Sequence, residues 1–127
     1  MLDVYWSGTV TRISPEAPVP IVKINSEDYT VGGAANVAAN CAALDCNFTL
    51  FALIGNDTHA NQLREQLTNC GITLKALQDG RPTSKKLRIM SRHQQLIRLD
   101  FEEVTPYEMS IEVQEQIKSE ILENDVI

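Results

Sequence analysis

The chain has 127 residues, enough for one hydrophobic core and too few for two, and 43% hydrophobic with 22% charged residues is the composition of an ordinary globular protein. A net charge of −6 argues against a nucleic-acid or anionic-membrane surface. No apolar run approaches the roughly 20 residues of a bilayer span, and no signal-peptide core follows Met1. Met1-Leu2-Asp3-Val4-Tyr5-Trp6 reads as the end of a strand running into a turn at Ser7-Gly8. Ligands of α/β proteins gather at the carboxyl ends of strands, so Asp3 is either a hydroxyl acceptor or a solvated acid beside a turn. Pro15, Pro18 and Pro20 keep the next segment extended and out of a sheet centre, and Ile21 to Ile24 continues it as an edge strand.

Gly32-Gly33 then leads into an Ala-rich run, Ala34 to Leu44, with Asn36 set among the small residues. Glycine lets a backbone turn sharply and lets a ligand approach its N–H groups, alanine favours helix, and a helix N-terminus suits hydroxyls and anions. The stretch is either a ligand cradle or a tight corner into a helix. Phe48 to Ile54, almost wholly apolar, fits a parallel strand covered on both faces. Asp57 is placed to cap a helix whose stripe is Ala60, Leu63, Leu67 and Cys70, with Gly71 just past its end. This order suggests right-handed crossovers on a parallel sheet. Cys41, Cys46 and Cys70 form no CxxC pair, which predicts reduced core cysteines in a cytosolic protein, and His59 and His93 lack metal-ligand spacing, which predicts no zinc site.

After Ile72 the pattern changes. Thr83 to Met90 and Gln95 to Phe101 alternate apolar and polar residues about Ser91-Arg92-His93-Gln94, predicting an antiparallel hairpin. If paired residue numbers sum to an even value, Lys86, Arg88, Arg98 and Asp100 line one side, which is either a phosphate-binding face or a solubilising one. Thr105-Pro106-Tyr107-Glu108 predicts a capping box opening a helix with the stripe Met109, Val113, Ile117 and Ile121. Asn124 to Ile127 suggests the opening of a parallel strand, hence a partial domain.

With these pieces placed, the sequence resembles the ribokinase-like (PfkB) sugar kinases. Gly32-Gly33-Ala34-Ala35-Asn36-Val37-Ala38 is similar to that family's N-terminal signature. Arg12 to Pro20 and Ser91 to Glu102 narrow the resemblance to heptose 7-phosphate kinases, the N-terminal part of bifunctional heptose kinase/adenylyltransferases. The resemblance implies a parallel sheet flanked by helices and capped by a small β lid, the lid segments being residues of about 10–28 and 73–102. It implies sugar hydroxyls held by Asp3 and Asn36, a pocket closed by the backbone at Gly32 and Gly33, and a sugar phosphate faced by Lys86, Arg88 and Arg98. It further implies a cytoplasmic enzyme, dimeric through its lids, that phosphorylates the anomeric hydroxyl with Mg-ATP on the way to ADP-heptose and the lipopolysaccharide inner core. The family's Gly-Ala-Gly-Asp anion hole and its aspartate base have no counterpart here, and no Walker-type P-loop is present. The 127 residues are therefore expected to be the sugar-binding and lid portion, lacking the ATP-binding half and inactive alone. A non-catalytic sugar-phosphate-binding or dimerisation module, or a kinase of another sugar phosphate, is the alternative.

Overall fold

The computed structural model describes residues 1–123. Four strands form one mixed sheet: β1 (Leu2–Ile13), β2 (Pro20–Val31), β5 (Lys85–Ser91) and β6 (Gln94–Phe101), in the order β2-β1-β5-β6. β1 pairs antiparallel with β2 and parallel with β5, and β5 pairs antiparallel with β6. A second, two-stranded parallel sheet holds β3 (Phe48–Leu53) and β4 (Ile72–Leu77). Helices α1 (Ala34–Ala42) and α2 (Thr58–Asn69) pack against strands of both sheets, and α3 (Ile111–Glu123) follows β6.

One face of the four-stranded sheet supplies Leu2, Val4 and Leu87 to the core. They meet Ala35 and Ala38 of α1, Ala60, Leu63 and Leu67 of α2, and Ile54 and Ile72 from the second sheet. Each fully buried leucine or isoleucine stabilises the fold by about 1.5–3 kcal/mol, so this cluster is what fixes the helices against the strands. Small residues on α1 let it lie close to that face.

Several local expectations hold. β2 is an edge strand, but the proline-rich segment before it is not extended: it turns between β1 and β2, closed by the Ser14 N–H donating to the Val19 carbonyl at 2.8 Å. Asp57 caps α2 by accepting from the Ala60 N–H at 2.8 Å, and Gly71 follows the helix with φ 72°. Arg92 and His93 both take positive φ, as a two-residue type I′ turn requires, between Ser91 and Gln94.

Others are corrected. Ser7-Gly8 is not a turn: β1 runs through it, absorbing the irregularity as register shifts at Ser7/Gly8 and Val10/Arg12. Residues 73–77 belong to β4 and pair with β3, outside the four-stranded sheet. β3 is parallel, but all six of its residues are only half-buried, so it is not covered on both faces. The cysteines are free but not core residues: Cys41 is half-buried and Cys46 and Cys70 are exposed, Cys70 being the cap of α2 rather than part of its buried stripe. Thr105 to Glu108 is irregular, and α3 starts later, with the Val113 N–H donating to Ser110 Oγ at 3.4 Å. Ser110, nearer the apolar stripe, supplies the hydroxyl at the helix start in place of Thr105. Val113 and Ile117 are half-buried, whereas Met109 and Ile121 are exposed. Asn124 to Ile127 lie outside the described residues.

Candidate functional site

Residues paired across strands point to the same side of a sheet. Asp3 pairs with Lys86 and Tyr5 with Arg88 across β1–β5, while Lys86 pairs with Asp100 and Arg88 with Arg98 across β5–β6. The hairpin register is thus the even one through Ile89, and Asp3, Tyr5, Lys86, Arg88, Arg98 and Asp100 share the face opposite the core.

That face is an ion-pair network, not a bare basic patch. Arg88 Nη1 donates to Asp3 Oδ1 at 2.5 Å, and the guanidinium carbon lies 5.3 Å from the Tyr5 ring centroid. Lys86 Nζ donates to Asp100 Oδ2 at 2.8 Å and to Glu102 Oε2 at 3.3 Å, and Arg98 Nε sits 2.9 Å from Asp100 Oδ1. The hydrogen bond from Lys86, helped by Arg98, holds the Asp100 carboxyl below the usual carboxylate range; the same bond raises the Lys86 ammonium. Arg88 is raised by its bond to Asp3.

The Gly32-Gly33 corner abuts this network. A Cβ on Gly32 would stand 2.3 Å from Asp3 Oδ2, so only glycine lets the carboxylate lie against the backbone there. Gly33 takes φ 58°, ψ −134°, a conformation that L side chains avoid, and turns the chain directly into α1. The N-terminus of α1 has no side-chain cap, which leaves its first N–H groups available to an outside acceptor. Asn36 is exposed on the first turn, outside the ion-pair network. The structure therefore brings Asp3, Gly32 and Arg88 into contact and groups Lys86 with Arg98 through Asp100, while Gly33 and Asn36 stand at the adjoining helix start.

Sequence reasoning did not single out Tyr5 or Glu102, whose places depend on register. A cavity of about 290 Å³ lies elsewhere, in the loops after β3 and β4, lined by Gly55, Asn56, Asp57, Gln78 and Arg81 among others. Its charged groups are already engaged, Asp57 by the Ala60 and Thr83 N–H groups and Arg81 by Asp79 and the Thr105 carbonyl. It shares no residue with the predicted site, and the hydrogen-bonding face of the sheet is the better candidate because its groups converge. Among the described residues, no group of three or more His, Cys, Asp or Glu could hold a metal ion, and no helix is long and apolar enough to cross a membrane.

The profile of the pfkB family of carbohydrate kinases matches residues 1–124. The chain belongs to the pfkB family of carbohydrate kinases. This pfkB chain is 42% identical over all 127 residues to the "Bifunctional protein HldE" of Hydrogenovibrio crunogenus, covering 26% of that protein. It is 52% identical over 104 residues to the protein of the same name from a Marinomonas species, a match over 81% of this chain and 22% of the relative. The pfkB chain thus spans about a quarter of the length of these curated relatives. Among solved structures, Escherichia coli phosphofructokinase-2 in complex with fructose-6-phosphate matches 97% of this chain and 39% of its own at a TM-score of 0.59 and 18% identity. Thermotoga maritima ribokinase matches 79% of this chain and 33% of its own at a TM-score of 0.61 and 21% identity. These likenesses show a ribokinase-like α/β fold, of which the chain is a part.

Proposed function

We propose that this chain is the sugar-binding and lid portion of an ATP-dependent kinase that phosphorylates heptose 7-phosphate at its anomeric hydroxyl, in the supply of ADP-heptose for the lipopolysaccharide inner core. The observation that carries the reading is the contact of Asp3 with Gly32 and Arg88 at the open start of α1, beside Lys86 and Arg98. A carboxylate and uncapped N–H groups suit sugar hydroxyls, and lysine and arginine on the adjoining face suit a phosphate. Asp3, Gly32, Gly33 and Asn36 then form the sugar cradle, and the lid face bearing Lys86, Arg88 and Arg98 covers the phosphorylated end. The residues of about 10–28 and 73–102 act as the lid, apart from those built into β4. The 42–52% identity to proteins named HldE and the Arg12–Pro20 and Ser91–Glu102 stretches favour heptose over a hexose.

In this reading Mg-ATP serves the whole kinase, and the chain spans about a quarter of the length of its curated relatives. Use of ATP sets the work in the cytoplasm. A homodimer through the lids would cover the outer edge of β2 and the exposed Ile97, Leu99 and Phe101 on β6.

Calorimetry of the chain with heptose 7-phosphate tests the reading. Saturable binding that weakens in Asn36→Ala and in Lys86→Ala is expected. Preference for fructose 6-phosphate would reassign the substrate, and binding of no sugar phosphate would refute the site.

A further inference from the structure

We propose that Arg88 is a positioning residue for the sugar-binding carboxylate of Asp3 and not a ligand of the phosphate, an assignment that rests on the sugar site proposed above. Three observations separate Arg88 from the other two cations of the face. Its bond to Asp3 is the least solvent-exposed ion pair there, with side chains 19% and 13% exposed. Its guanidinium lies over Tyr5, its register partner on β1, so the planar group is held from one side by an aromatic face and at its end by the carboxylate. Asp3 in turn has Oδ1 on Arg88 and Oδ2 against Gly32, and these two contacts fix the plane in which the carboxylate presents its remaining lone pairs.

Lys86 and Arg98 are arranged differently. Their acceptors, Asp100 and Glu102, are 27% and 41% exposed, and Arg98 itself is half exposed. A phosphate dianion can replace those carboxylates at Lys86 and Arg98, since the displaced groups turn out into water. A phosphate that drew Arg88 away would strand the Asp3 carboxylate, half-enclosed, without its cation. The structure thus divides the three basic residues by function: one orients the group that reads sugar hydroxyls, and two receive the phosphate.

The test is calorimetry of the chain with heptose 7-phosphate and with the same heptose lacking its phosphate. The variants are Arg88→Met, Arg88→Lys, Lys86→Met, Asp3→Asn and the double variant Asp3→Asn/Arg88→Met, each checked for folding by circular dichroism. Arg88→Met is expected to weaken both ligands by the same factor, about tenfold or more, the scale of one charge-assisted hydrogen bond. Lys86→Met is expected to weaken only the phosphorylated ligand. In the Asp3→Asn background, Arg88→Met should cost little more, because two residues acting through one group are not additive. Arg88→Lys, which keeps charge but not the fork or the stack, should recover part of the loss for both ligands and serves where Arg88→Met does not fold. Loss confined to heptose 7-phosphate in either Arg88 variant, or full additivity with Asp3→Asn, would overturn the assignment. Binding of neither ligand by the unchanged chain would overturn the sugar site and this assignment with it.

Discussion

Gly32→Ala puts the predicted site under the sharpest strain for the smallest chemical change. Gly32 is outside the left-handed region, so alanine carries no backbone penalty there and the effect is one of contact alone. The added methyl would stand 2.3 Å from Asp3 Oδ2 and 2.9 Å from its Cγ, and 2.7 Å from Met1 Cε. The methionine end can swing aside at little cost. The Asp3 carboxylate cannot, because the Arg88 bond at 2.5 Å holds it. Either that bond is given up, a loss of about 1.5–3 kcal/mol for a hydrogen bond to a charged group, or the corner is overpacked at a cost of about 1–3 kcal/mol. Small residual exposure of the pair lowers the first figure, so about 2 kcal/mol is expected. At about 4 °C per kcal/mol for a chain of this size, Tm falls by about 8 °C. Thermal unfolding by circular dichroism of the unchanged chain, Gly32→Ala, Asp3→Ala and the double variant measures it. With Asp3 cut back the clash is gone, and Gly32→Ala should then cost less than about 1 kcal/mol. Equal costs in the two backgrounds, or none in either, would refute the account of why glycine stands there.

Asp57→Ala removes the α2 cap and strands the Thr83 N–H, which Asp57 Oδ2 accepts at 2.8 Å; a loss of about 2–4 kcal/mol is expected in urea unfolding. Burial pushes the Asp57 carboxyl up, but bonds from the Thr83 and Ala60 N–H groups outweigh it and leave it below the ordinary value. Its contribution is therefore complete above the unfolded carboxylate pKa of about 3.9 and disappears as pH falls through the lower folded value, so Asp57→Asn should flatten the acid limb of a stability–pH curve. Leu67→Ala, at a fully buried position of α2, should cost about 2–5 kcal/mol by the same unfolding assay. His93→Gly relieves a non-glycine residue at φ 67° and should raise Tm, corresponding to about 1 kcal/mol.

Features that depend on neighbouring residues were the legible ones. The Asp57 cap, the Gly32-Gly33 corner and the hairpin about Arg92-His93 follow from residues within a few positions of each other. Ser7-Gly8 misled because a serine-glycine pair signals a turn or a bulge equally well, and the partner strand that decides between them begins at Pro20. Thr105 to Glu108 has the residues of a capping box, but the capping serine nearest the apolar stripe is Ser110. β4 was lost because the pattern after Ile72 reads as alternation for either sheet, and only its pairing with β3 assigns it. The basic face was legible as composition, not as chemistry. Lys86, Arg88 and Arg98 could be counted, whereas the acceptor of Arg88 lies 85 positions earlier and no periodicity connects them.

The parallel pairing of β1 with β5 also sets an order of assembly. β1 and β2 are joined by a short turn and can zip together as soon as Val31 has been synthesised, whereas the other edge of β1 stays bare until Lys85 to Ser91 emerge. Closing that gap gathers α1, β3, α2 and β4 into one long loop, an entropic barrier that slows folding although it costs the finished fold little. Until then the nascent chain carries an unpaired strand edge with Leu2 and Val4 beside it, the kind of surface that chaperones hold and that aggregates when they do not. The last strands of the four-stranded sheet to arrive complete both that sheet and the ion-pair face, so a chain released before Arg88 would have the Gly32-Gly33 corner but no cation to hold Asp3.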